Sequence, residues 1–202
     1  LLAPKARGCI ELLRLGDSNS ADSVDGLENF SHIWIIFVFH LNTQSKNAAR
    51  KIKSKITPPA LGGEKVGIYA TRTPHRYNPI GITLCKLDRI RKEKNKVFLH
   101  ISGLDLVDGT PVLDIKPYVP VYDSVCSVNG CDSSAKVPDW VAGGLSMQRQ
   151  VVISESAMDE LTSIVNDNPS TLQFYGPKFE EQTVESTVAA VAECIKQVLA
   201  MD

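Results

Sequence analysis

The sequence carries almost no net charge: 22 Lys and Arg are balanced by 23 Asp and Glu, leaving −1 at pH 7 over 202 residues. A chain-wide positive field is thereby excluded, so any contact with a polyanion must come from local patches. A long hydrophobic run is also missing. A bilayer span needs about 20 apolar residues, and the longest stretch, Ile33 to Phe39, is only strand-sized. Cysteine is sparse and poorly spaced for metal, because Cys9, Cys85, Cys126, Cys131 and Cys194 form no pair of pairs. Cys126 and Cys131 could be half of a metal site, but the other two ligands are absent nearby; free thiols, no metal and a reducing compartment are expected. Internal repeats and low-complexity tracts are absent. So are G-x-G-x-x-G, the P-loop and G-x-S-x-G, which argues against a Rossmann-type cofactor fold. No signal peptide is visible; the opening Leu1-Leu2-Ala3-Pro4 has no methionine and reads as cut from something longer.

What is present suits one domain with a core plus a small appendage. Cys9 to Leu15 reads as a strand, followed by a polar loop from Gly16 to Gly26. Ser31 to His40 is β-branched and aromatic on both faces, which predicts a strand central to the fold. A basic loop follows, with Lys46, Arg50, Lys51, Lys53 and Lys55, punctuated by Pro58-Pro59 and Gly62-Gly63. Val66 to Thr71 is predicted as a strand. Ile80, Ile82 and Leu84 then alternate with Gly81, Thr83 and Cys85 at strand period. A charged hairpin over Asp88 to Lys96 precedes a strand from Val97 to Leu104, and Pro111 to Ile115 gives another. Short strands of this density predict a mainly β fold, a small β-barrel over residues 1–122. Residues 123–150 read as a loop or linker. Residues 151–202 are expected to form a helical, α+β appendage, with Ser154 or Ser156 capping one helix. The stripe Val184, Val188, Val191, Ile195 and Val198 marks a second helix.

Two segments are unusual for pure structure. Thr71 to Gly81 (TRTPHRYNPIG) crowds Arg72, His75, Arg76 and Asn78 between two strands, with prolines that fix the backbone. That is how a preorganised site is built, and also how a rigid turn with solvated arginines is built. Asn78-Pro79 is half of the motif of Rossmann N6-adenine methyltransferases, but Ile80 and Gly81 break it. Ser102 to Tyr118 (SGLDLVDGTPVLDIKPY) holds Asp105, Asp108 and Asp114 within ten residues. Such a triad could bind metal. Equally, Asp108-Gly109 is a turn signal, and Asp114 with Lys116 on one strand face suggests an ion pair.

Together the strings LENFSHIWIIFVFH, Val66 through TRTPHRYNPIG, SGLDLVDGTPVLDIKPYVP and Tyr122-Asp123 resemble the TrmO-type tRNA methyltransferases. The resemblance is strong over residues 7 to 123 and weaker beyond 150, where an LQFYGP string and a closing helix carry it. It implies a small β-barrel, a homodimer, and transfer of methyl from S-adenosyl-L-methionine to N6 of threonylcarbamoyladenosine beside the anticodon. His40, Leu41 and Arg72 match cofactor contacts. Ile82, Ser102, Gly103, Leu104 and Asp105 match the pocket for the cofactor's nucleoside. Asp108, Asp114, Lys116 and Tyr118 match the catalytic mouth, with Thr110 beside them. His75, Arg76 and Asn78 are expected to face the RNA or the threonyl carboxylate.

The partner implied is tRNA, met through the Lys46 to Lys55 run and through Arg89, Arg91, Lys92 and Lys94. The compartment expected is the cytoplasm, with an organelle left open. The family's Pro-Arg-Gln-Pro loop would precede Leu1 and an Asp-Pro-Arg-like segment would follow Asp202, so the sequence is expected to be a trimmed chain. Tyr77 stands where the family often has proline. The competing reading is a noncatalytic β-barrel that binds S-adenosylmethionine or RNA.

Overall fold

The computed structural model describes residues 3–13, 20–42, 52–94, 96–124, 135–146, 149–167, 172 and 183–200. Cys126 and Cys131, the Lys46, Arg50 and Lys51 part of the basic loop, and all of LQFYGP but Leu172 lie outside the described residues.

Seven strands are described: β1 (Arg7–Leu12), β2 (His32–Val38), β3 (Lys55–Ile56), β4 (Val66–Gly67), β5 (Ile80–Glu93), β6 (Lys96–Ser102) and β7 (Val112–Pro117). Five of them form one sheet in the order β1-β6-β5-β2-β7, and β3 and β4 pair separately. β2 is interior to the sheet, as its apolar run predicts. Ile33, Ile35 and Phe37 are buried on one side, and Trp34, Ile36 and Val38 are half-buried on the other. The Asp88 to Lys96 hairpin is real but tighter than expected, since β5 and β6 pair as far as Glu93 and Lys96. Among the described residues β1 and β7 do not pair, so the sheet keeps two edges and no closed ring is formed.

Other expectations are corrected locally. The strand predicted over Val66 to Thr71 stops at Gly67. The Ile68 N–H still reaches Ser54 O at 3.0 Å, but Thr71 N–H folds back onto Ile68 O at 3.2 Å and closes a 3₁₀ turn. Residues 123–150, expected to be loop, contain a helix, α2 (Asp139–Ser146), after the single turn α1 (Pro120–Asp123). Pro138 O accepts from the Val141 and Ala142 N–H groups and starts α2; Gly143 and Gly144 disguised it in the sequence. Helices α3 (Glu155–Asp167) and α4 (Val184–Leu199) supply the C-terminal helical part. Ser154 Oγ accepts from Ala157 N–H, and Thr183 Oγ1 accepts from Ser186 N–H, each satisfying an orphan donor of the first turn. Thr187, Val188, Val191 and Ala192 are the buried residues of α4, while Val184, Ile195 and Val198 at the ends of the expected stripe stay partly exposed.

The chain packs as two compact units, one of residues 1–33, 84–105 and 148–202, the other of residues 34–83 and 106–147. The first has an aliphatic core that includes Ile10, Ile33, Leu87, Val97, Leu99 and Ile101. Burying each such side chain contributes roughly 1.5–3 kcal/mol. The second centres on Ile35, Phe37 and Ile68. Among the described residues no helix is long and apolar enough to cross a membrane, and no group of three His, Cys, Asp or Glu could hold a metal ion.

Candidate active site

Two successive amides at the end of β2 organise the second unit. Val38 N–H donates to Pro111 O at 3.0 Å, and Phe39 N–H donates to Pro79 O at 2.8 Å. Successive strand residues point their groups to opposite sides, so one backbone stretch ties the loop before β5 and the turn before β7 to the same place. Beyond Phe39 the chain makes a 3₁₀ turn over His40–Asn42. Asn42 Nδ2 donates to Pro74 O at 2.6 Å, a second tie to the 72–79 loop. Three segments singled out by sequence therefore converge: His40 and Leu41, the Arg72 to Pro79 loop, and the Asp108 to Pro111 turn.

The 72–79 loop is held mostly by its own side chains. Thr71 Oγ1 donates to Ile68 O at 2.8 Å, and His75 N–H donates to Thr73 Oγ1 at 3.3 Å. Arg76 is half-buried, donating from Nη1 to Thr71 O at 2.9 Å and Ile68 O at 3.3 Å, with its guanidinium 5.6 Å from the centre of the Tyr69 ring. It braces the loop. Arg72 is different. It is exposed, and its Nη2 donates to Ile82 O at 2.8 Å. A guanidinium has five donors in a fixed fork, so anchoring one leaves the others aimed by a fixed lever. His75 and Asn78 are exposed at the loop surface.

Alternation on the first residues of β5 is inverted relative to polarity. Gly81 and Thr83 face inward, while Ile80 and Ile82 are 48% and 47% exposed. The inward glycine has a steric cause: a β-carbon there would lie 2.3 Å from Phe37 Cζ. Phe37 in turn packs edge-on against Phe39, centroids 5.0 Å apart. With Phe37 occupying the inner side, the isoleucines are left outward, and Leu41 is also 68% exposed. An apolar strand face beside an anchored guanidinium suits a ligand with a flat ring and an anionic end.

On the other side of β2, Gly109 at φ 73° allows the turn in which Thr110 N–H donates to Val107 O at 3.2 Å. Asp108 is exposed on that turn and no described residue pairs with it. Asp114 is engaged: Lys116 Nζ lies 2.8 Å from its Oδ2, and Ile115 N–H donates to Oδ1 at 2.9 Å. The Lys116 ammonium first, then the Ile115 amide, hold the Asp114 carboxyl below the usual carboxylate range. Tyr118 sits away from the loop cluster. Its ring meets Trp34 edge-on at 6.1 Å, four residues before Val38, or about 13 Å along a strand.

Ser102, Gly103, Leu104 and Asp105 belong to the first unit. There Ser102 Oγ donates to Asp88 Oδ1 at 3.1 Å, and Gly103, at φ 80°, ends β6 by donating to Ala6 O at 2.8 Å. Leu104 fills the space a β-carbon at Gly8 would take, 2.9 Å from its Cδ1. Asp105 is exposed. Asn42, which ties the loop to the end of β2, is not among the site residues expected from sequence, and Gly81, which sets the strand face, enters there only as the end of the Thr71 to Gly81 segment. The signals for them, an amide just past a buried strand and a glycine at an inward position, are short-range and ambiguous.

Residues 1–124 match the family described as the tRNA-methyltransferase O N-terminal domain. A mouse protein named tRNA (adenine(37)-N6)-methyltransferase is 49% identical over 170 residues, which is 83% of this chain and 37% of that protein. The Escherichia coli protein of the same name is 38% identical over 160 residues, 78% of this chain and 66% of that one. The chain thus spans about a third of the mouse relative's length and just under two thirds of the bacterial one's. The crystal structure of TrmO from Pseudomonas aeruginosa superposes with a TM-score of 0.59 at 33% identity, covering 100% of this chain and 71% of that one.

Proposed function

The chain belongs to the tRNA-methyltransferase O N-terminal domain family, and from that premise we propose that it methylates N6 of threonylcarbamoyladenosine beside the anticodon of tRNA, with S-adenosylmethionine as donor. The observation that carries the reading is the convergence of His40-Leu41, the Arg72 loop and the Asp108 turn on two successive amides at the end of β2, those of Val38 and Phe39.

The residues present fit the donor. Arg72, anchored to Ile82 O and with no other hydrogen-bond partner among the described residues, would take the carboxylate of the amino-acid tail. Ile82 and Leu41, apolar and exposed, would lie against the flat adenine ring, with His40 beside them. When bound, S-adenosylmethionine supplies a methyl group already activated on a sulfonium. What remains for the protein is alignment, exclusion of water and disposal of one proton. As the N6–methyl bond forms and the carbon–sulfur bond breaks, N6 loses a proton. Asp108 is the better acceptor of the two carboxylates proposed. Asp114 is committed to Lys116 and the Ile115 amide, which stabilise its charged form and weaken it as a base. The Asp114–Lys116 pair shapes the mouth, and Tyr118, on Trp34, supports β7. His75 and Asn78 face the RNA, while Arg76 supports them from within the loop. The first 122 residues would close as a barrel in a homodimer, residues 123–150 would link and 151–202 append, and the work would be done in the cytoplasm.

The test is methyl transfer from labelled S-adenosylmethionine to threonylcarbamoylated tRNA and to the same tRNA lacking that group. Incorporation at the anticodon-adjacent adenosine of the modified tRNA alone is expected. Arg72→Ala should lower kcat/KM by about 10–100-fold, the worth of a charge-assisted contact of roughly 1.5–3 kcal/mol, and Arg72→Lys should not restore it. Donor binding without incorporation into either tRNA would favour the noncatalytic reading.

A further inference from the structure

The register of the first unit sorts its charged residues by face. Pairing across β1, β6 and β5 gives the rows Arg7–Ser102–Lys86, Cys9–His100–Arg89 and Glu11–Phe98–Arg91. Residues opposite one another on neighbouring strands share a face, so these rows form one surface. The alternate rows, Gly8–Ile101–Leu87 and Ile10–Leu99–Ile90, form the apolar one. A register shift between Leu87 and Arg89 makes this possible. Asp88 is the extra residue, and without it Arg89 would fall on the core side. The bulge therefore converts an alternation that would scatter Lys86, Arg89 and Arg91 into one that aligns them.

At the end of this face lies a cleft of about 380 Å³, lined by Lys5, Arg7, Lys86, Arg89 and His100 and by a single carboxylate, Asp88. Asp88 is already engaged by Ser102 Oγ at 3.1 Å and Lys86 Nζ at 3.4 Å. The wall carrying Lys5 is fixed, because Lys5 N–H donates to Gln197 Oε1 of α4 at 2.9 Å. Further along, Arg91 stacks over the Phe98 ring at 4.8 Å. The buried His100 imidazole registers the field: burial first, then Arg89 and Arg91, push its pKa down. Arg91 also pairs with Glu93 at 3.3 Å on this face, whereas Lys92, paired with Asp25, falls on the other one.

We propose that the cleft and the arginine rows beside it dock the phosphodiester backbone of the substrate RNA, with Lys86 and Arg89 as the principal phosphate contacts. This rests on the methyltransferase reading for the identity of the polyanion. Four lining cations face one carboxylate in a chain of net charge −1, so the concentration of charge is local. Guanidinium forks on a rigid strand match phosphate geometry. The sequence run Arg89, Arg91, Lys92 and Lys94 is thereby divided: its arginines on this surface contact RNA and Lys92 does not.

The experiment measures tRNA binding and methylation for the wild type, Lys86→Glu/Arg89→Glu and Lys86→Arg/Arg89→Lys at several salt concentrations. The reversal should weaken tRNA binding at least tenfold and lower the log–log salt slope by about 1.4–1.8, the release expected for two contacts at roughly 0.7–0.9 each. The charge-conserving pair should keep most of both. If the reversal lowers the melting temperature, Lys86→Gln/Arg89→Gln gives the same reading. A wild type that methylates tRNA while the reversed variant binds with unchanged slope overturns the docking surface and leaves the function standing. A variant that loses inorganic phosphate binding but keeps tRNA binding overturns it in favour of a small-anion site. A wild type that neither binds nor methylates tRNA removes both.

Discussion

Along β5 the inward positions are Gly81 and Thr83 in the first half and Cys85 and Leu87 in the second. The outward positions change in the opposite sense, from Ile80 and Ile82 to Lys86 and, past the bulge, Arg89 and Arg91. The second half follows the burial rule: apolar groups leave water and charges keep it. The first half breaks it, and the break has a visible origin, the Phe37 ring filling the space over Gly81. Where a strand holds isoleucine outward and glycine inward, the inner position is sterically closed and the outer apolar side chains are left facing solvent. In this chain that half also carries the Arg72 anchor at Ile82 O. The comparison separates two halves of one strand, an apolar outer face in the first and a cationic outer face in the second.

Three substitutions test this contrast, the largest effect first. Gly81→Ala forces the Phe37 ring aside and should cost about 1–3 kcal/mol of overpacking, read as a lower melting temperature and weaker donor binding together. If stability is unchanged, the inner side of the first half is not tightly filled. Ile82→Ala should separate the two readouts. Folding stability should move by no more than about 0.5 kcal/mol, while S-adenosylmethionine affinity falls roughly tenfold, about 1.4 kcal/mol of lost apolar contact. A loss of stability without loss of affinity would make the outward isoleucine structural. The smallest effect concerns the second half. His100 has its pKa lowered by burial and by Arg89 and Arg91, so the folded state favours the neutral ring. Its contribution is present above the unfolded value of about 6.5 and is lost as pH falls below it toward the folded pKa. His100→Gln should flatten that part of the stability profile; an unchanged profile would assign the acid sensitivity elsewhere.

How much was legible follows the same division. β2 was readable because the seven apolar residues from Ile33 to Phe39 are best buried in an interior strand. A serine cap before α3, at Ser154 or Ser156, and the apolar centre of α4 were readable because helix periodicity and capping are local; the Ala157 N–H decides for Ser154. The strand at β5 was readable too, from the alternation of Ile80 to Cys85, but periodicity does not tell which face is inward. That sign was set by Phe37, distant in sequence. The bulge at Asp88 was hidden for a related reason, since register depends on the partner strand. Arg72, His75 and Arg76 are alike in composition, and only the family resemblance assigns Arg72 to the cofactor and the other two to the RNA side. Backbone acceptors separate them, giving Arg76 to its own loop and Arg72 to Ile82. Helix α2 was masked by two glycines that propensity counts against it.

The most direct measurement is the set of backbone amide shift changes when the isotope-labelled chain is titrated with S-adenosylmethionine. The account predicts that the largest changes fall on Phe39 to Asn42, Arg72 to Ile82 and Asp108 to Thr110, and that Arg72→Ala abolishes saturation over the same concentration range. Changes concentrated instead on Arg7, Lys86, Arg89 and His100, with residues 72–82 unmoved, would contradict it.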